Sequence, residues 1–133
     1  MRHARLCGVG AKTYRDLDAW RLADELRTGV VAFTANPSVN RDFRFCNGIR
    51  DAAGSVCRNL AEGFGRRRPR EFAVFVRIAL GSLAEVQDQL LDAKHRQYLG
   101  EKDYRRLWTL SERTRQTTKA LGHYLTHVAT PTT

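Results

Sequence analysis

The sequence predicts an all-α protein, an antiparallel up-down-up-down four-helix bundle, and three observations lead there. Apolar residues recur at intervals of three and four through four long segments. Stop signals separate those segments: Asn36-Pro37-Ser38, the run from Gly63 to Pro69, and Gly100. No segment carries the alternating pattern of a strand, and no internal repeat competes. Long helices joined by short connections pack as antiparallel neighbours. The chain has 133 residues, 42% of them hydrophobic and only 3 of them Pro. That length suits one domain able to bury a core without metals or disulfides.

Residues 1–15 show no apolar period and are expected to form a flexible tail. The first helix is expected from Asp16 to Ala35, with Leu17, Trp20, Ala23, Leu26, Val30 and Phe33 as its stripe and Asp16 or Asp18 as its cap. Asn36 precedes proline and is pushed out of helical space. The second helix starts near Asn40 or Asp42, and its stripe is Cys46, Ile49, Ala53, Val56, Leu60 and Phe64. Gly63 or Gly65 is the expected left-handed terminator.

Pro69 opens the third helix, which is expected to reach Tyr98. Its stripe (Phe72, Phe75, Ala79, Leu83, Val86, Leu90, Ala93) is widened by Val74, Val76, Ile78, Leu80 and Leu91. A helix apolar on more than one face needs two neighbours or a subunit interface, so the bundle is expected to self-assemble. The fourth helix runs from Glu101 to Val128 on Tyr104, Leu107, Ser111, Thr114, Thr118, Leu121, Leu125 and Val128, the most polar stripe of the four. Residues 129–133 are expected to be a disordered tail.

Charge is the extreme feature of the composition. Lys and Arg number 23 against 14 Asp and Glu, a net charge of +9 that favours polyanionic partners, chiefly nucleic acid. More than half of it lies in residues 41–70, where Arg41, Arg44, Arg50, Arg58, Arg66, Arg67, Arg68 and Arg70 face only Asp42, Asp51 and Glu62. Arg66, Arg67, Arg68 and Arg70 crowd the turn before the third helix. The amides at a helix start add partial positive charge there, and guanidinium groups fit phosphate two-pronged. These four are the candidate nucleic-acid contacts, extended by Arg41, Arg44 and Arg58.

Catalytic and metal chemistry find little support. Cys46 and Cys57 sit about three helical turns apart on an apolar face, too distant to bridge, and read as inert buried thiols of a reducing cell. Asp92-x-x-His95 occurs once, where a di-metal bundle needs two such pairs, and His123 with His127 lacks a third ligand. No glycine-rich phosphate loop is present, and Ser55 and Ser82 beside Gly54 and Gly81 read as small residues at a close helix contact. The expectation is no enzyme, no cofactor and no metal. Glu62 and Glu85 stand in apolar stretches and are expected to be polar devices that set helix register or subunit pairing. No run of about 18 apolar residues spans a membrane, and the N-terminus lacks the apolar core of a signal peptide, so the expected compartment is the cytoplasm.

Three motifs carry a resemblance. Asn59-Leu60-Ala61-Glu62-Gly63-Phe64-Gly65-Arg66 resembles the N-I-A-E-G-x-G-R signature of the four-helix-bundle family that includes proteins encoded in 23S rRNA intervening sequences. Tyr14-Arg15-Asp16-Leu17-Asp18-Ala19-Trp20 is similar to that family's F-x-D-L-x-V-W opening. Glu71-Phe72, Ala79-Leu80-Gly81-Ser82-Leu83-Ala84-Glu85 and Gln89-Leu90 resemble its E-F, A-x-G-S-L-x-E and Q-L pattern. Gly48 and Asp51 depart from the family's Gln and Arg, Cys57 from a common Pro, and Gln87-Asp88 from Glu-Thr.

The resemblance implies a homopentamer with a central channel and no catalytic residues. It also implies kinship with the accessory variability protein of diversity-generating retroelements, a pentameric basic barrel that engages a reverse transcriptase and RNA. Asn59, Glu62, Gly63, Gly81 and Glu85 then belong to structure and subunit pairing. The expected function is a non-enzymatic oligomeric scaffold that binds nucleic acid, RNA in preference. The alternative is a protein-interaction adaptor, for example a reverse-transcriptase accessory subunit, that binds no free RNA.

Overall fold

The computed structural model describes residues 10–129, and every described element is helical. A single 3-10 turn, Tyr14–Asp16, precedes helices α1 (Asp18–Thr34), α2 (Pro37–Asn40), α3 (Phe43–Arg66), α4 (Pro69–His95) and α5 (Glu101–Ala129). The expected tails at 1–9 and 130–133 lie outside the described residues. Within 10–15, however, the chain is built: Thr13 and Asp16 form a reciprocal capping box around the 3-10 turn. Asp16 Oδ2 accepts from the backbone N–H groups of Lys12 (2.8 Å) and Thr13 (3.1 Å). Asp16 therefore caps this turn, and Leu17 takes the N-cap of α1 without a side-chain bond.

Two other boundaries differ from the sequence expectation. The Asn36-Pro37-Ser38 stop opens the short helix α2, whose start is capped by Asn36 Oδ1 accepting from Ser38 N–H at 3.0 Å. Helix α4 ends at His95, ahead of Tyr98, because Gln97 turns left-handed at φ 63°. Tyr98 N–H then reaches Ala93 O (2.8 Å) and Gln97 N–H reaches Lys94 O (3.1 Å), a Schellman closure.

The four long helices pack in a ring: α1 on α3, α3 on α4, α4 on α5, and α5 back on α1. Facing positions rise on one helix as they fall on the next. Along α3 and α4, Gly48 faces Gln89, Ser55 faces Ser82 and Gly63 faces Phe72. Along α4 and α5, Val76 meets Gly122 and Gln87 meets Ser111. The core lies inside this ring and contains Leu26, Val30, Ile49, Val56, Leu60, Val76, Leu83, Val86, Leu90, Leu107 and Leu121, each fully shielded. Burying one such side chain contributes roughly 1.5–3 kcal/mol.

The polar stripe of α5 is indeed interior. Ser111, Thr114 and Thr118 are buried. Ser111 Oγ donates to Trp108 O and Thr114 Oγ1 to Leu110 O, each at 2.7 Å, so their hydroxyls are satisfied along their own helix. Thr118 Oγ1 is buried without a partner.

Glu62 and Glu85 are exposed, which corrects their expected place beside the core. At about 100° per residue, Glu62 points well away from the Leu60 stripe. Gly81 is exposed too, with open space where a Cβ would stand, so it makes no close helix contact among the described residues. Gly63 does: a Cβ there would lie 2.6 Å from Phe72 Cδ1 and 2.9 Å from Phe75 Cβ.

Candidate nucleic-acid interface

The arginine-rich corner is a two-residue turn between α3 and α4. Gly63 and Gly65 stay helical, so the expected glycine terminator is not used. Arg67 takes the left-handed conformation instead, at φ 63° and ψ 1°, and its N–H reaches Phe64 O at 3.3 Å. Arg68 is extended, and Pro69 starts α4 with its φ already set for a helix. The close approach at Gly63 and the edge-to-face rings of Phe64 and Phe72 (6.3 Å apart) hold the two helix ends together. Arg66, Arg67, Arg68 and Arg70 are thereby brought into one exposed corner.

These four arginines are not equivalent. Arg66 Nε donates to Glu62 Oε2 at 3.0 Å and lies 4.0 Å from Glu71, and its guanidinium sits 5.1 Å over the Phe75 ring. Arg68 lies 3.7 Å from Glu71. These pairs are solvent-exposed and weakly held. Arg67 and Arg70 form no ion pair among the described residues. A shallow hollow floored by Phe64, Phe72 and Leu125 lies beside Arg67 and Arg68.

The other three predicted arginines lie elsewhere. Arg41 and Arg44 are exposed at the opposite end of α3, about 33 Å away along its axis. Arg58 lies on the middle of α3 and is paired with Asp51 at 3.2 Å, seven residues back on the same helix, in an exposed pair. The eight arginines of residues 41–70 are thus not one patch. Arg50 is also spent internally: its Nε donates to Thr34 Oγ1 at 2.7 Å.

Two basic surfaces escaped the sequence reading. Arg77 and Lys119 line a groove between α4 and α5. Arg77 follows Arg70 by two turns of one helix, a spacing that could have revealed it. Between α1 and α5, Arg113 lines two adjoining hollows, one with Arg21 and the other with Lys102, Arg105 and Arg106. Lys102, Arg105, Arg106 and Arg113 all lie on α5, a clustering visible in the sequence, and only Arg21 joins them from α1.

The structural residues sort clearly. Asn59 Nδ2 donates to Ser55 O (2.8 Å) and Ser55 Oγ (3.0 Å), and Ser55 Oγ meets Ser82 Oγ at 2.7 Å. Asn59 therefore anchors a hydroxyl bridge between α3 and α4, about two turns before the corner. Cys46 and Cys57 are buried and unbridged. Burial pushes both thiols up, that of Cys57 to about 11, a shift that disfavours the nucleophilic thiolate. Asp92 bonds Arg96 at 3.0 Å. Among the described residues no three His, Cys, Asp or Glu side chains converge on a metal position, and no helix is long and apolar enough to cross a membrane.

The family model described as 23S rRNA-intervening sequence protein matches residues 15–120. The chain belongs to this family. The match runs from the capped 3-10 turn through the arginine corner and into α5. No curated protein matches the chain.

Two departures from the pattern of 23S rRNA-intervening sequence proteins have local explanations. A Cβ at Gly48 would lie 2.8 Å from Gln89 Nε2, the mobile end of a flexible side chain, so Gly48 lets Gln89 lie close against α3. Asp51 holds Arg58.

Proposed function

We propose that this chain is a non-catalytic, basic scaffold, an up-down-up-down bundle that assembles with copies of itself and binds nucleic acid, RNA in preference, at the α3–α4 corner. The observation that carries the reading is Arg67. It occupies a left-handed position that glycine fills at least cost, and a non-glycine residue there gives up about 1 kcal/mol. Among the described residues its side chain has no carboxylate to answer it, and neither has Arg70 beside it. Unanswered guanidinium groups next to a helix start suit phosphate. The family's association with 23S rRNA intervening sequences favours RNA as the polyanion. The raised, buried thiols favour a role without nucleophilic catalysis.

Self-assembly draws on the outer face of α4. Val74, Ile78 and Gly81 follow one another at helical spacing, all exposed, with Glu85 one turn beyond. This face would give Gly81 and Glu85 the pairing role their motif implies, and the family resemblance favours five subunits. The test is fluorescence anisotropy of a labelled RNA across a salt series, with native mass spectrometry for subunit number. Affinity should fall steeply with salt, and removing Arg67 and Arg70 should lower the log–log slope by about 2. Binding indifferent to salt, or absent at low salt, would overturn the reading.

The groove between α1 and α5 favours a second reading, an adaptor for a protein partner such as a reverse transcriptase. Its floor includes Leu22, Ala120 and Leu110 and its rim carries Arg21 and Arg113, a surface complementary to an acidic amphipathic helix. Stoichiometric recovery of one protein from the native host, unaffected by nuclease, would select it.

A further inference from the structure

The far end of α3 holds a feature that the corner leaves unused. Phe43, the first residue of α3, is 71% exposed, more than any other large hydrophobic residue among those described. A phenyl ring held in water is unfavourable. Arg41 and Arg44 flank it in sequence, both exposed, and neither forms an ion pair among the described residues.

The one acid of this segment, Asp42, feels the charge of Arg44, but its oxygens bond elsewhere. Asp42 Oδ1 accepts from Phe45 N–H at 3.2 Å. Its Oδ2 accepts from the Tyr98 hydroxyl at 2.6 Å and from Arg96 Nη1 at 3.2 Å. The Phe45 ring meets Tyr98 edge-on at 5.1 Å and Phe33 at 6.2 Å. The first turn of α3 is therefore anchored to the end of α4 and to α1, and Phe43 is displayed on a fixed base.

We propose that Phe43 is a stacking platform for an unpaired base of single-stranded nucleic acid, with Arg41 and Arg44 holding the phosphates on either side. The inference rests on the nucleic-acid reading above and adds the class of strand. Aromatic faces stack on any base, and flanking cations track the backbone. A duplex keeps its bases stacked inside and offers such a platform little. A two-fold contact with a second copy through Phe43 is disfavoured by charge, because it would set Arg41 and Arg44 against their own copies while Asp42 is already engaged.

The test uses the full chain and two probes measured by anisotropy at low salt: a short unstructured RNA strand and a blunt duplex of the same sequence. Phe43→Ala should weaken single-strand binding about 10-fold and leave duplex binding unchanged. Phe43→Trp should keep single-strand affinity and gain an indole emission that the strand quenches. Phe43→Ala leaving single-strand binding intact, or weakening both probes equally, would overturn the platform while the corner reading stands. A changed subunit number for Phe43→Ala in native mass spectrometry would also overturn it and make Phe43 a contact between copies. Failure of the unaltered protein to bind either probe would overturn the nucleic-acid reading and the platform together.

Discussion

The two ends of helix α4 solve the same problem differently. Each adjoins a chain reversal that uses a left-handed residue other than glycine, Arg67 at one end and Gln97 at the other, both at φ 63°. At the Gln97 end the local groups are mutually satisfied: two Schellman bonds close the turn, and Tyr98 and Arg96 converge on Asp42. At the Arg67 end the turn keeps one backbone bond, and two of its four arginines find no acid among the described residues. Backbone strain is common to both and does not by itself mark a functional site. Unsatisfied charge distinguishes them, and it lies at the α3–α4 corner.

The sharpest way to break the comparison is to disturb the packing that creates the corner. Gly63→Val should destabilise the fold by about 1–3 kcal/mol in urea unfolding, because its Cβ meets Phe72 and Phe75. Gly100→Ala, at the other end and facing open space, should change stability by less than about 0.5 kcal/mol. Equal effects would mean that the corner is not built on the Gly63 contact.

Arg67→Gly and Gln97→Gly form the next pair. Each should stabilise the protein by about 1 kcal/mol by relieving left-handed strain. Only Arg67→Gly should weaken RNA binding, lowering the salt slope by about 1. A Gln97→Gly variant that also lost RNA affinity would erase the distinction between the ends.

The satisfied end should have an acid signature. The Tyr98 hydroxyl and the Phe45 amide hold the Asp42 carboxyl below its ordinary value of 3.8. A lowered folded-state value means that this stabilisation is fully present above about pH 4 and is lost as pH falls through the folded value. Asp42→Asn should therefore flatten part of the acid limb of a thermal-unfolding series. Tyr98→Phe should flatten it less, since the Phe45 amide bond remains.

The smallest effect belongs to Glu62→Gln. Its exposed pair with Arg66 should be worth less than about 0.5 kcal/mol, yet freeing Arg66 should tighten RNA binding slightly. Weaker binding would show that Glu62 positions Arg66 for the contact and does not compete for it.

Much of this fold is legible in the sequence because burial follows helical period. Leu26, Ile49, Leu83 and Leu107 all lie on predicted stripes and are shielded completely. The corner is legible for a simpler reason: four arginines adjacent in sequence cannot be far apart in space. Failures occur where partners are distant along the chain. Asp42 reads as a helix cap, and it is one, but nothing local announces Tyr98 and Arg96 as its other partners. Arg58 reads as a free cation until Asp51, seven residues back, is seen to hold it. Glu62 and Glu85 read as near-core acids because their neighbours are apolar, although their angle around the helix points them outward.

The sequence by itself determined four long helices, their breaks near Pro37, Pro69 and Gly100, the family, and the place of the arginine cluster. Those properties depend on periodicity, proline geometry and adjacency, which are local. Tertiary structure alone decided which arginines remain unanswered, that Arg67 and not a glycine makes the turn, and that Phe43 stands in solvent. Ion pairing, left-handed closure and exposure depend on what other helices bring alongside, and residues distant in sequence supply that only once the chain has folded.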